Sequence, residues 1–175
     1  MIETAPIAAA FERVADIFRK DPERALTTQR SRARIESGLT CHVEEGDWRF
    51  VADMSTTAGG AREGPTPGAL GRAALGSCLA IGFVMEAARR GVPVTSAEVE
   101  VETDCDDGAL FGVSDAPPGY LDVRCRLTVE SDASDAELEA VRDAADARSP
   151  YLDVFARAQT VRRTMTVVRP PSSRR

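Results

Sequence analysis

One thiol, Cys78, lies inside a long apolar segment that follows a proline-rich turn at 64–67. A thiolate can attack an electrophile such as a peroxide oxygen, whereas a buried neutral thiol only packs. If the segment is a helix, Ala74 and Gly82 stand one turn before and after Cys78, and such small side chains leave a depression beside the sulfur. The pattern therefore predicts either a ligand pocket lined by Ala74 and Gly82 or a site of close backbone packing.

A cysteine becomes strongly nucleophilic when a cation or a helix N-terminus stabilises its thiolate. Cys78 falls too far inside the predicted helix for the helix dipole to act on it. The cation must then come from elsewhere, and Arg62 in the preceding linker is the predicted activator, with Arg32 and Arg34 as alternatives. Each of the three is also of a type that ordinarily lies at the surface.

The remaining cysteines and the single histidine do not form a recognisable metal or redox motif. Cys41, Cys105 and Cys125 are widely spaced, so neither a CxxC pair nor a zinc knuckle is present. His42 is the only histidine, and on a strand it points away from Cys41. We therefore predict no metal and no cofactor.

Composition restricts the partners and the compartment. The 175 residues are enough for one domain, and the net charge of -6 disfavours nucleic acid and anionic membrane surfaces as partners. The N-terminus lacks the apolar stretch of a secretory signal, and the uncharged run between Arg72 and Glu86 is too short to span a bilayer. These features predict a cytoplasmic protein with free thiols.

Hydrophobic periodicity and turn residues predict the elements that position these groups. In chain order they are a helix over 6–20, strands over 30–54 with a turn at 45–47, a linker over 55–67, a helix over 68–90, a strand over 98–102, a loop over 104–119, a strand over 121–129, helices beginning after 134 and 149, and a closing strand over 160–168. Within the loop, Leu110, Phe111 and Val113 either form a lid over a pocket, with Phe111 lining it, or attach the loop to the core.

The central helix is apolar on every face from Leu79 to Met85. Such a helix must be covered on both sides, and one small sheet covers only one of them. A second helix or a second subunit is therefore implied, and we expect a dimer. The N-terminal amphipathic helix over 6–20 packs either on its own domain or on a partner.

Several segments together resemble the signature of the OsmC/Ohr superfamily. They are Gly64-Pro65-Thr66-Pro67, Leu70, the run from Ala73 to Cys78, the run from Ala87 to Pro93, and Ser149-Pro150. The resemblance implies an α/β (α+β) fold, an intertwined homodimer whose long central helices are wrapped by antiparallel sheets. It divides the chain into an N-terminal helical arm (1–28), an OsmC-like domain (29–168) and a polar tail (169–175).

The resemblance also implies a chemistry. In this superfamily the thiol that corresponds to Cys78 attacks organic hydroperoxides and becomes a sulfenic acid, which a second cysteine resolves as a disulfide for reduction by dithiol carriers. Here Ser149 stands where the resolving cysteine is expected, and Gly68 stands where a helper glutamate is expected. The arginine that the Ohr branch uses would fall near Gly38 and Leu39, and neither of these residues is cationic.

The departures leave more than one function open. The first is a thiol-dependent peroxidase of oxidative-stress defence with one peroxidatic cysteine, Cys78, reduced by a low-molecular-weight thiol or a dithiol protein, or resolved by Cys41, Cys105 or Cys125. The alternative is a non-catalytic dimer that binds a small hydrophobic ligand at the subunit interface. A third possibility is a dimer that acts through protein contacts of its N-terminal arm.

Overall fold

A computed structural model describes residues 1–169, which form five α-helices and five strands. The helices are α1 (Thr4–Lys20), α2 (Pro67–Arg90), α3 (Asp107–Leu110), α4 (Asp135–Asp146) and α5 (Pro150–Ala156). The strands are β1 (Ser31–Ile35), β2 (Cys41–Glu45), β3 (Trp48–Ala52), β4 (Ser96–Cys105) and β5 (Tyr120–Glu130). Short 3-10 turns occupy Pro22–Ala25 and Thr56–Ala58.

The strands form two separate antiparallel sheets. β1, β2 and β3 make a three-stranded meander, and β4 pairs with β5 in a long two-stranded ribbon. In the meander Val43 pairs with Phe50, and Ile35 pairs with Cys41, so their side chains share one face. Ile35 and Phe50 remain 54% and 42% exposed, and Trp48 at the start of β3 is 76% exposed. The part of this apolar face that carries Ile35, Trp48 and Phe50 is uncovered within the described part of the chain, whereas Ala52 on the same face is buried.

The long helix α2 is the centre of the packing. Thr66 caps its N-terminus by accepting a hydrogen bond from the Ala69 N–H, and Gly91 ends it with a left-handed φ of 68°. Phe83 and Ala87 bury one face of the helix against Val94 and Val141. Within residues 1–169, α2 is long and apolar enough to cross a bilayer by length and composition alone, a test that core helices of soluble proteins also pass.

The structure confirms most of the predicted elements. The N-terminal helix, the central helix ending at Gly91, the two later strands and the helices after 134 and 149 are all present. β4 and β5 are longer than predicted, and the segment predicted as a loop over 104–119 contains α3. α3 forms because the Asp106 carboxylate caps it, accepting a hydrogen bond from the Gly108 N–H at 2.8 Å.

The predicted closing strand over 160–168 is wrong. Residues 157–169 contain no helix or strand, and Val161, Met165 and Val168 are exposed. The alternation of apolar and polar side chains satisfies the local rule for a strand, but a strand also needs a neighbouring edge for its N–H and C=O groups. Nothing in the described part of this chain pairs with the segment.

Candidate active site

The thiol of Cys78 lies against the start of helix α5. Its Sγ atom is 3.5 Å from Oγ of Ser149, close enough for a hydrogen bond to sulfur in which either atom can donate. Cys78 is half-buried on α2, whereas Ser149 is only 8% exposed. The position where the superfamily resemblance places a resolving cysteine is therefore in contact with the nucleophile candidate, and it carries a hydroxyl.

Local sequence explains how Ser149 reaches this position. It is the N-cap of α5, and its Oγ accepts a hydrogen bond from the Leu152 N–H at 3.3 Å. Pro150 occupies the first helical position, where a missing N–H costs nothing. The capping bond uses a lone pair of the hydroxyl oxygen, so the hydroxyl proton stays available for donation. Ser149 can therefore donate a hydrogen bond to a thiolate at Cys78.

The two residues open into a groove of about 600 Å³ between α1, α2, α4 and α5. Most of its lining is apolar. The lining residues are Phe11, Ala74, Ser77, Cys78, Ile81, Gly82, Met85, Glu86, Ala144, Ala145, Arg148, Ser149, Pro150 and Tyr151. Ala74 and Gly82 thus lie on either side of the sulfur along α2, and the small side chains leave room for a molecule to reach it.

Two residues that the sequence assigns to the site lie elsewhere in this chain. Phe111 follows α3, is 62% exposed and is not among the residues that line the groove. Its neighbours Leu110 and Val113 are also exposed, so they do not attach the loop to the core. Arg62 is also outside the groove lining.

Arg62 lies in the linker before α2, in a loop held by a buried carboxylate. Its φ of 60° is left-handed, a conformation that is costly for a side chain other than glycine. Asp53 fixes this loop by accepting hydrogen bonds from the Thr40 hydroxyl and from the N–H groups of Met54, Ala61 and Glu63. Burial raises the pKa of Asp53, but these hydrogen bonds, that from Glu63 first, outweigh it and lower the pKa below its ordinary value.

The other cysteines do not reach the groove. Cys41 lies on β2, and Cys105 is exposed at the end of β4. Cys125 lines a different cavity, of about 530 Å³, between β5 and α4. Burial, and then the charge of Asp146, raise the pKa of the Cys125 thiol and favour its unreactive neutral form. Among the described residues that line the groove, Cys78 is the only thiol.

A charge cluster surrounds the buried carboxylate of Glu86, and two of its members, Glu86 and Arg148, line the groove. Glu86, two turns after Cys78 on α2, is 3% exposed and accepts a paired hydrogen bond from Arg89 at 2.9 and 2.6 Å. Arg90 donates to it at 2.7 Å, and Arg148 lies 3.8 Å away. The bonds from Arg89, and then Arg90, outweigh the effect of burial and lower the pKa of Glu86 to about 2.

We expect Glu86→Gln to destabilise the fold by about 3 kcal/mol at neutral pH, because a pKa held at about 2 instead of 4.5 makes the ionised carboxylate more favourable in the folded state by that amount. Because the folded pKa of about 2 lies below the ordinary 4.5, the stabilisation is complete above pH 4.5 and is lost as the pH falls toward 2. Urea unfolding at a series of pH values and one protein concentration measures both effects. The matched control is Glu98→Gln, at an exposed position of β4. An acid-induced loss of stability as large in Glu86→Gln as in the wild type would contradict the assignment.

Two residues of the groove lining, Glu86 and Arg148, were not predicted from the sequence. Glu86 could have been found, because spacings of four and eight along a helix carry Cys78, Gly82 and Glu86 along one side. Arg148 precedes Ser149 directly, but only the packing of α4 on α2 shows that its side chain enters the groove.

Comparison with known proteins supports this arrangement of elements. The family model described as OsmC-like protein matches residues 59–163. An OsmC-like protein from Mycoplasma pneumoniae has a similar structure, at 13% identity over 74% of this chain and 88% of that chain, with a TM-score of 0.64. A comparison with curated protein sequences found no match.

Two further similar structures are named for organic hydroperoxide resistance. The protein OsmC from Legionella pneumophila is 19% identical over 74% of this chain and 90% of that chain, with a TM-score of 0.53. OhrB of Bacillus subtilis is 20% identical over the same shares, with a TM-score of 0.50. These likenesses show the fold, a mixture of helices and antiparallel sheets, and the predicted fold class is confirmed.

Proposed function

The chain belongs to the OsmC-like protein family, whose model matches more than half of its 175 residues, and from this premise we propose that it reduces organic hydroperoxides with Cys78 as its nucleophile. The proposal is supported by the contact between Cys78 and Ser149 in an apolar groove open to small molecules. Two proteins with this fold are named organic hydroperoxide resistance proteins, which suggests the substrate class.

The first step oxidises the sulfur. The Cys78 thiolate attacks the terminal oxygen of the hydroperoxide, the O–O bond breaks, and the alkoxide leaves and takes a proton to become an alcohol. Sulfur loses two electrons and becomes a sulfenic acid. Ser149 stabilises the thiolate by donating a hydrogen bond to its sulfur, and the apolar walls accommodate the organic part of the peroxide.

The second step requires a thiol from outside the chain. Ser149 cannot form a disulfide, and Cys41, Cys105 and Cys125 do not line the groove. A free thiol attacks the sulfenic acid, forms a mixed disulfide with Cys78 and releases water. A second thiol then releases Cys78 as a thiol and leaves as a disulfide. We place this cycle in the cytoplasm, where low-molecular-weight thiols are abundant.

The observation that carries the proposal is the 3.5 Å contact between Oγ of Ser149 and Sγ of Cys78. It places a hydroxyl beside the sulfur at the position where a resolving cysteine is expected. Consumption of cumene hydroperoxide in the presence of a monothiol, by the wild type and by Cys78→Ser, tests it. Equal consumption by both proteins would exclude Cys78 as the nucleophile.

The apolar lining of the groove also favours a second candidate function, the binding of a small hydrophobic ligand without catalysis. In this case Cys78 is part of the wall. The same assay separates the two, because a binding module consumes no hydroperoxide and retains its ligand in native mass spectrometry. Peroxide turnover with no retained ligand would contradict the second candidate.

We further propose that the working form is a homodimer. Two apolar surfaces lack cover in the described residues of one chain, namely the part of the meander face with Trp48 and Phe50, and the segment 160–168. Exposed apolar area on this scale indicates an interface. Sedimentation velocity is expected to give a mass near twice 18.8 kDa at micromolar concentration, and a species at the monomer mass would contradict the proposal.

A further inference from the structure

Arg148 supplies a positive charge to the groove that its neighbours do not neutralise. Arg89 and Arg90 hold the carboxylate of Glu86 with bonds of 2.6–2.9 Å, whereas Arg148 stays 3.8 Å from it. Among the described residues, the guanidinium of Arg148 donates one hydrogen bond, from Nη1 to the Ala144 carbonyl at 3.1 Å. Its other N–H groups are therefore free to bind an anion.

The opposing charges around this cluster do not cancel that surplus. Three guanidinium groups meet one buried carboxylate. The acidic side chain that α1 brings near the cluster is Glu12, which acts on Arg89 and is also paired with Arg19 at 3.4 Å. An anion beside Arg148 therefore enters a site of net positive charge, and arginine presents the planar donor pair that suits a carboxylate.

Arg148 and Cys78 line one groove, together with the apolar positions Ile81 and Gly82. Arg148 directly precedes Ser149 in the sequence, and the hydroxyl of Ser149 contacts the sulfur of Cys78. A molecule bound in the groove thus has apolar walls, a cation and the sulfur of Cys78 within one lining. Such a site favours a small molecule with an apolar body and a carboxylate.

We propose that Arg148 binds the carboxylate of the external reductant, a low-molecular-weight monothiol, and so directs its sulfur to Cys78. The inference rests on the proposed function, because that function leaves the sulfenic acid to a thiol that must enter the groove. The thiol donates the electron pair that displaces water from the sulfenic acid, and a second such thiol reduces the mixed disulfide. Arg148 takes no part in the bond changes; it holds the reductant.

The first experiment measures charge selectivity at Cys78 without any peroxide. Iodoacetate and iodoacetamide alkylate the same sulfur, but only iodoacetate carries a carboxylate. We expect Arg148→Gln to lower the ratio of the iodoacetate rate to the iodoacetamide rate at Cys78 by roughly three- to tenfold, because the substitution removes the charge that attracts the carboxylate. Peptide mass spectrometry follows Cys78 and the exposed Cys105 in the same sample, and the ratio at Cys105 should not change.

Arg142→Gln is the matched control. Arg142 lies on α4, six residues before Arg148, but it lines the other cavity and donates to Asp143. The substitution removes the same charge from the protein and should leave the ratio at Cys78 unchanged. Arg148→Lys should keep most of the selectivity, since it retains the charge. An equal ratio in Arg148→Gln and Arg142→Gln would overturn the proposal.

The second experiment tests whether the bound anion is the reductant. With cumene hydroperoxide as the uncharged oxidant, we compare 3-mercaptopropionate with 2-mercaptoethanol, each corrected for its thiolate fraction. Arg148→Gln should raise the KM for 3-mercaptopropionate about fivefold and leave the KM for 2-mercaptoethanol unchanged. If selectivity in alkylation is present but neither thiol supports turnover in the wild type, the proposed function and the reductant role both fail while the anion site stands. Equal KM changes for the two thiols would overturn the role of Arg148 alone.

Discussion

Replacing Cys78 with serine is expected to reduce thiol-dependent consumption of organic hydroperoxide by at least about a hundredfold, to the rate of the free thiol in solution. The hydroxyl that replaces the thiol is not ionised at neutral pH and is a far weaker nucleophile toward peroxide oxygen. Its neighbour Ser149 can orient it but cannot activate it, because a hydroxyl is not a base at that pH. The fold should persist, because the hydroxyl is smaller than the thiol it replaces and Cys78 is only half-buried.

Two cysteine variants provide the control for this loss. Cys105→Ser removes an exposed thiol at the end of β4, and Cys125→Ser removes a thiol from the second cavity. Both should retain wild-type turnover. A dimedone adduct should form on Cys78 of the wild type after one equivalent of cumene hydroperoxide. If Cys105→Ser or Cys125→Ser loses the activity instead, the oxidised sulfur has been assigned to the wrong residue.

Local rules predicted the elements that hold the site. Gly91 predicted the end of α2, and Ser149-Pro150 predicted the start of α5. These signals succeed because each depends on a few consecutive residues, and the hydrogen bonds that they form lie within one turn at the end of the helix. The contact of Ser149 with Cys78 is different, since 71 residues separate the two. Only the resemblance to a family could place them together before the structure was known.

The predictions that the structure does not support share a cause: each concerns a residue whose position depends on contacts with segments distant in sequence. The segment 160–168 has the alternation of a strand, but no strand edge within the described residues pairs with it. Phe111, predicted as a lining residue, follows α3 and lies outside the groove lining of its own chain. Arg148 has no sequence signal at all, because its role depends on Glu86 being satisfied by two other arginines. Such relationships are tertiary, and periodicity carries no information about them.

Replacing Ser149 with cysteine is expected to restore an internal disulfide and to change the reductant. The Oγ atom of Ser149 is already 3.5 Å from Sγ of Cys78, and a disulfide requires about 2.05 Å, a difference that small side-chain rotations supply. A thiol at position 149 would attack the sulfenic acid within the same molecule, faster than a monothiol from solution. After one equivalent of hydroperoxide, the protein should lose about 2 Da instead of gaining about 16 Da.

The matched control is Ser134→Cys, which places a thiol at the N-cap of α4, away from the groove lining. Both variants lose a helix cap, which costs about 0.5–2 kcal/mol, so a difference between them does not come from stability. Ser134→Cys should still form the dimedone adduct at Cys78, whereas Ser149→Cys should not. Dithiothreitol should sustain turnover of Ser149→Cys at low concentration, because a dithiol releases the disulfide by ring closure. A sulfenic acid that persists in Ser149→Cys would show that α5 does not hold residue 149 on the sulfur during the reaction.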